Sequence, residues 1–572
     1  MKKLFTKALG YLALAILMTW PMVSALDTTT VGYPNVDALD TIMLRGLVPK
    51  ALLDPTAAWV YFPSGFSILS MVPNLVDHLT SWPFIATFPF PVGDNLWWLL
   101  ILVANGLAGH TLGRNAGNSE AAGWMGGIMW MLSEPLLRET NLHHGPQALA
   151  VTAPLYISAL LTFRRNPTVQ RGLLAGLWMA LAGLTYWYLG LFLAVASIPL
   201  MWGVSLRHGW SLLVFPVGLC LPILVPMLAQ WGDTPLTNVA LKPGPLRVAG
   251  DVSALPIEQQ FVAQHGNDLL FWWRSTPMDT SNRVGISLLL AAIVGGLQWK
   301  KGPRWALWCV ALLGSVFLLG PALRFGSDLW LHNEQPILLP FSWLSDLHPV
   351  FERLSWPERW GLLIPLALIP LAAKTRRPLL WAGLFAMETA LFSANFPLQT
   401  IPLAHQRCWK QLKNGDGSVL ELPLSRPGVS APWVGVHQRF HERATVNPIL
   451  LPPGVQPPKD WRDWTKHHTL TRGILAIESG HTPPIWTQKD VETLASEGVG
   501  TIALDSSASK VQQSRLLEYI TPLLGMPVDL GCAKVWTIRG QEPTAEKFLA
   551  RPGMPSPDLP TLIEPSWSGI QK

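Results

Sequence analysis

The first two thirds of the chain alternate between long apolar runs and short polar or basic turns. Windows of roughly 17 to 22 residues are almost free of charge, which matches a helix crossing a hydrocarbon core of about 30 Å. Inside such a core a backbone can satisfy its N–H and C=O groups only by hydrogen bonding to itself, so the runs predict helices. Eleven spans are expected, at about 5–25, 95–113, 121–137, 147–163, 171–187, 188–205, 210–230, 284–299, 305–323, 359–373 and 379–396. Residues 65–92 are also apolar, but Asp77, His78, Pro73, Pro83, Pro89 and Pro91 interrupt them. They read as interfacial or re-entrant helices, not as a twelfth span.

Near residue 397 the pattern changes to that of a soluble domain. Val419-Leu420-Glu421-Leu422-Pro423 leaves a Gly-Asp-Gly turn as a strand, and a second strand, 500–504, lies between helices at 488–497 and 509–524. Pro527 to Ile538 predicts a closing strand or hairpin. The expected fold is therefore mainly α: a polytopic helical bundle over 1–396 and a small α/β domain over 397–550. A Pro-rich tail at 551–572 has a composition that suits disorder. Within the bundle, 26–94, 231–283 and 324–358 are long outer loops, and loops of that length are usually functional or disordered; their many aromatic and aliphatic residues favour the first.

Composition supports this reading. Only 14% of the 572 residues are charged, against about 25% in a soluble domain. Many of the 29 tryptophans (Trp20, Trp97, Trp98, Trp187, Trp299, Trp308) fall at the ends of apolar windows, where an indole ring is partly buried and its N–H stays wet. The net charge of +6 does not point to nucleic acid, because the basic residues sit in short loops. Lys2, Lys3, Lys7, Arg114, Arg164, Arg165, Arg171, Arg207, Lys300, Lys301, Arg304, Lys374, Arg376 and Arg377 all fall on one side of an eleven-span scheme. The positive-inside rule makes that side the cytoplasm. The N-terminus is then cytoplasmic, while residues 26–94 and the C-terminal domain lie outside; Arg138, between Glu134 and Glu139, is the local exception. Lys2 to Ala25 reads as an uncleaved first helix, with cleavage after Val23-Ser24-Ala25 as the alternative, and residue 26 onward is outside in both cases. Cys220 and Cys309 lie in spans. Cys408 and Cys532 bracket the outer domain, where an oxidising compartment could join them or leave them apart.

Polar residues near the outer face carry the candidate chemistry. Asp37 and Asp40 follow the first span and share a face if helical; the bland alternative is a helix start capped by Asp37. Glu134, Glu139, Asn141, His143, His144 and Gln147 cluster around one short outer loop, and Arg353, Glu358 and Arg359 lead into the tenth span. A carboxylate facing histidines and an arginine suits general-base activation of a hydroxyl beside a bound phosphate. The competing roles are interfacial hydrogen bonding for His143-His144 and snorkelling to headgroups for Arg359.

Several landmarks in order resemble the GT-C superfamily, polytopic glycosyltransferases that use polyprenyl-phosphate-linked sugars. The likeness is to bacterial members with a C-terminal extracytoplasmic domain. Val36-Asp37-Ala38-Leu39 is similar to that family's Gly-Asp-Ala-Leu, with Val36 in place of the glycine. Val60-Tyr61-Phe62-Pro63-Ser64-Gly65 is similar to its aromatic-Tyr-Pro-x-Gly segment. Asn141-Leu142-His143-His144 resembles its His-bearing loop, Trp356-Pro357-Glu358-Arg359-Trp360-Gly361 its Pro-x-Arg-Phe-Gly, and Val419 to Pro423 the strand opening its outer domain. The resemblance implies an inner-membrane enzyme that moves a sugar from a lipid-phosphate carrier to an extracytoplasmic glycan, lipid or protein acceptor. It gives Asp37 the role of base, or of the residue that orients the acceptor, and Asp40 that of a second carboxylate. The leaving phosphate would be neutralised by Arg359, Arg353 and Arg324, beside His143 and His144. Some members use a divalent cation, for which Asp37, Asp40 and a histidine would be ligands; the sequence leaves the metal open. Two other classes compete, a transporter or flippase and a non-catalytic envelope assembly scaffold. A transporter places charges near the midplane and shows repeat symmetry, and no two-fold pattern is visible here.

Overall fold

The computed structural model describes residues 2–34, 36–53, 58–65, 74–204, 206–223, 225, 266–273, 281–300, 302–325, 328–333, 335–343, 356–424, 433–448 and 458–538. Its contacts divide the chain into two units, Met1–Tyr33 with Val72–Ile401, and Pro34–Met71 with Pro402–Lys572.

The first unit is helical, and ten of the eleven expected spans coincide with a described α-helix, from Lys2–Met18 to Pro378–Phe392. The span count itself is supported only in part. By length and hydropathy, two described helices suffice to cross a bilayer alone, Val92–Gly117 and Gly145–Arg165. Trp187–Met201, Ile286–Gln298, Arg304–Leu318 and Pro378–Phe392 are apolar but shorter. The 210–230 window holds a 3₁₀ stretch (Leu206–Leu212) and a short π-helix (Pro216–Cys220), and its end falls outside the described residues. The expected 121–137 span also breaks. Its helix stops at Met131 and a new one, Glu134–Asn141, starts with Pro135 in its first turn, where the missing N–H costs nothing.

Close packing relies on small residues. Gly109 and Gly113 on Val92–Gly117 face Gly126 on Glu120–Met131, and a Cβ on Gly126 would stand 2.9 Å from the Gly113 Cα. This is the small-xxx-small device that lets membrane helices touch backbone to backbone. Tyr11 and Trp130, both buried, pack beside this crossing, at Gly106, Gly127 and Gly109. Helix ends in an apolar medium need partners for their free N–H groups. Glu388, on Pro378–Phe392, meets this need for Ile286–Gln298: its carboxylate accepts from Ile286 N (2.7 Å) and Ser287 N (2.8 Å) and pairs with Arg283 (2.8 Å).

The second unit is built on a four-stranded sheet. Ser418–Leu422 runs parallel to Val499–Asp505, which pairs antiparallel with Ala533–Thr537, itself antiparallel to Val528–Asp529. Helices Gln488–Ser496 and Lys510–Leu524 flank the central strand in sequence, where the turn signals placed them. Leu420, Leu422, Ile502, Leu504 and Trp536 form its core with Leu470, Ile474, Leu494, Leu516 and Ile520. A disulfide joins Cys408 to Cys532 with Cα atoms 6.3 Å apart, inside the normal range. The helix Val36–Leu53 belongs to this unit and packs on Val434–His441, with Gly435 against the Leu39 carbonyl. Residues 58–65 join it through Thr445, which donates to the Trp59 carbonyl (3.0 Å) and accepts from Phe62 N (3.1 Å). The contacts thus group 34–71 with the C-terminal part, whereas the sequence pattern places it in one outer loop, 26–94. The tail at 551–572 lies outside the described residues.

Candidate functional site

The site begins with the helix Glu134–Asn141. The sequence pattern reads its second half as loop, yet all eight residues are helical and buried. Three ionisable groups on one buried helix must be partnered or neutralised. Glu134 accepts from Ser281 Oγ (2.8 Å) and Asn395 Nδ2 (3.0 Å). Glu139 accepts from Arg138 at Nη2 (2.5 Å) and Nε (3.2 Å), and on its other oxygen from His144 Nδ1 (2.7 Å). Arg138, 1% exposed, also donates through Nη1 to the carbonyls of Glu358 (3.2 Å) and Ser281 (3.4 Å). It ties this helix to the 3₁₀ segment Pro357–Leu362.

That segment carries Arg359. Its guanidinium lies over three aromatic rings, Trp356 (5.0 Å), Tyr186 (5.4 Å) and Tyr188 (5.7 Å), and donates to the Tyr186 hydroxyl. Tyr186 is the single extended residue between Val169–Thr185 and Trp187–Met201, so the break between two helices supplies two of the rings. Among the described residues, no carboxylate comes within ion-pair distance of Arg359. Aromatic faces attract a cation and leave its charge uncancelled.

These groups line a small, partly open pocket. Its lining combines polar side chains, Arg138, Glu139, Gln147, Tyr186 and Arg359, with apolar ones, Pro135, Leu189, Phe192 and Leu362. Gln147 Oε1 is buried there with no hydrogen-bond partner among the described residues. Burial is the largest influence on Glu139 and pushes its pKa up. The Arg138 charge, the His144 hydrogen bond and the Arg359 charge outweigh it and hold the carboxyl well below the usual range. Glu358 behaves in the opposite way: burial pushes it up to about 7, and Arg138 and Arg359 offset only part of that. Two arginines against one ionised glutamate leave the pocket wall with a net positive charge. Such a wall, half apolar, suits an anionic group attached to an apolar one.

The expected site residues separate. Arg359 lies in the pocket, and His144 orients Glu139 from behind. His143, with φ of +59°, turns its ring toward the Val31 carbonyl (Nδ1 to O, 2.6 Å) and against Trp98 (4.8 Å), and it does not line the pocket. Arg324 is buried and donates to the Gly266 carbonyl (3.0 Å), also away from the pocket. Asp37 and Asp40 belong to the helix Val36–Leu53, but their side chains lie outside the described residues, as does Arg353. Among the described residues, no group of three His, Cys, Asp or Glu side chains is arranged to hold a metal. The sequence pattern groups Glu139 and Gln147 with the candidate chemistry of the outer loop but gives no site role to Arg138, Tyr186 or Tyr188. A charged pair, Arg138-Glu139, at the end of an apolar window was the available signal; the tyrosines gave none beyond an aromatic belt.

No family model and no curated protein matches the chain. Solved structures do align. Arabinofuranosyltransferase AftD from Mycobacteria aligns over 94% of this chain at 16% identity and a TM-score of 0.49, and this chain spans 40% of its length. ArnT from Cupriavidus metallidurans aligns over 93% of this chain and 97% of its own, at 12% identity and a TM-score of 0.37. The Archaeoglobus fulgidus oligosaccharyltransferase aligns over 87% and 69%, at 11% identity and a TM-score of 0.34. Two of the three are glycosyltransferases by name.

Proposed function

We propose that this chain is a multi-pass inner-membrane glycosyltransferase of the GT-C type. It moves a sugar from a polyprenyl-phosphate-linked donor to an extracytoplasmic glycan, lipid or protein acceptor. The carrying observation is Arg359, a cation held by three aromatic rings and, among the described residues, by no carboxylate, in a pocket lined in part by apolar side chains. A lipid-linked phosphodiester brings both halves that such a pocket takes, an anion and an apolar chain.

In the reaction, the acceptor hydroxyl attacks the anomeric carbon, the carbon–oxygen bond to the phosphate breaks, and a base takes the hydroxyl proton. The phosphate leaves with one more negative charge than it had in the diester. Arg359 therefore binds the transition state more tightly than the ground state, the condition for raising the rate. Glu139, engaged by Arg138 and His144, sets the local charge and does not compete for the phosphate. Asp37 is the proposed base, with Asp40 as a second carboxylate and Arg353 as a second cation near the phosphate; these rest on their places in the sequence landmarks. A cytoplasmic N-terminus and an extracytoplasmic α/β domain follow from the basic loops. The Cys408–Cys532 disulfide is what an oxidising compartment would allow. The test is Asp37→Asn in membranes supplied with radiolabelled polyprenyl-phosphate sugars. Loss of transfer with normal protein levels is expected, and full transfer would remove Asp37 as base.

A further inference from the structure

The segment between Arg304–Leu318 and the Arg359 turn contains a small double hairpin that the site does not use. Arg324–Phe325 pairs with Asp328–Leu329, and Leu331–His332 pairs with Gln335–Pro336. Leu323 N donates to the Ile337 carbonyl (2.9 Å), Trp330 N to the Leu323 carbonyl (2.9 Å) and Ile337 N to the Trp330 carbonyl (3.2 Å), so the ribbon bonds largely to itself. It nonetheless presents Phe325, Trp330, Leu331, Leu338 and Trp343 outward, each 44–58% exposed. A self-bonded ribbon has little reason to expose large apolar side chains to water.

We propose that this ribbon is a membrane-interface anchor whose partner is the glycerophospholipid headgroup layer at the outer end of Arg304–Leu318. The inference rests on the membrane reading above. Three observations carry it. The helix Arg304–Leu318 has 15 residues and rises about 22 Å, short of a core of about 30 Å, so apolar surface must continue beyond it. The ribbon begins six residues after its end, within about 20 Å of chain, and supplies that surface. The opposite end of the same helix carries Trp305, 71% exposed, so exposed aromatics bracket it at both ends in the manner of the two interfacial belts. The exposed polar His332 and Asn333 exclude the hydrocarbon centre and place the ribbon at headgroup level. The anchor is also joined to the site segment. Buried Phe341 lies 6.4 Å from Phe317, whose ring lies 4.6 Å from Trp360, next to Arg359.

The test is nitroxide labelling of the full chain in phosphatidylcholine vesicles, in a Cys309→Ser background with the disulfide intact. Labels go at Leu331→Cys and, independently, at Leu338→Cys. Leu312→Cys at mid-helix is the membrane control and Ile485→Cys, 91% exposed in the second unit, the aqueous one. The ratio of collisions with oxygen to collisions with a nickel chelate rises with depth. The anchor is expected to give ratios at 331 and 338 above that of 485 and below that of 312. Ratios equal to that of 485, or spin–spin broadening showing that a second copy covers the ribbon, would overturn it. An aqueous reading at 312 would overturn the membrane assignment itself.

Discussion

The buried pair Arg138–Glu139 gives a prediction that can be worked through. Glu139→Gln keeps the shape but removes the charge that two Arg138 N–H groups (2.5 and 3.2 Å) and one His144 N–H (2.7 Å) are placed to meet. Arg138, 1% exposed, then loses its counter-charge, and stranding one member of a buried pair costs about 3–5 kcal/mol. Arg138→Gln strands Glu139 in turn and should cost a similar amount. The double variant removes both charges, so its loss should fall short of the sum by about 2–3 kcal/mol. The assay is denaturant unfolding in detergent, followed by the ellipticity of all four proteins in one series. Glu139 has its pKa held below the usual range, so its contribution is fully present above the unfolded value of about 4.3 and is lost only as pH falls through the depressed folded value. The coupling should therefore be the same at pH 5 and pH 7. Additivity within about 0.5 kcal/mol would refute the reasoning, because it would mean that water already solvates the pair.

Two further outcomes are expected. Burial raises Glu358 to about 7, so its contribution to stability is fully present below pH 4.5 and lost as pH rises through 7; that window is worth at most about 3 kcal/mol, and Glu358→Gln should flatten the stability profile between those limits. The Cys408–Cys532 bond closes a loop with a sequence separation of 124, worth up to about 5 kcal/mol in the chain-entropy account, so Cys408→Ser with Cys532→Ser should lower the midpoint of the second unit's thermal transition in differential scanning calorimetry.

The sequence made local features visible and left distant ones hidden. The strand at Ser418–Leu422 follows a Gly-Asp-Gly turn, and the Val528–Thr537 hairpin lies in a stretch bounded by turn residues; both are readable from neighbours alone. Arg359 was readable as a charge at the edge of an apolar window. The partners that define its site were not, because Tyr186 lies 173 residues away and the carbonyl that Arg138 bonds at Glu358 lies 220 residues away. Pairing over such distances leaves no periodic trace. The same holds for the helix Val36–Leu53, which groups with the C-terminal part through Gly435 and Leu39. The loop reading of 139–147 failed because charge usually marks a loop, whereas here every charged residue of Glu134–Asn141 has a buried partner.

The most direct test of the account is the binding of a polyprenyl phosphate to purified protein in nanodiscs, read by native mass spectrometry against the matching polyprenol and against Arg359→Met. One bound phosphate lipid is expected, with much weaker binding of the neutral alcohol and a loss of about 10- to 150-fold on Arg359→Met, the worth of one charge-assisted hydrogen bond of about 1.5–3 kcal/mol. Equal binding of alcohol and phosphate, or an Arg359→Met protein that binds like the parent, would contradict it.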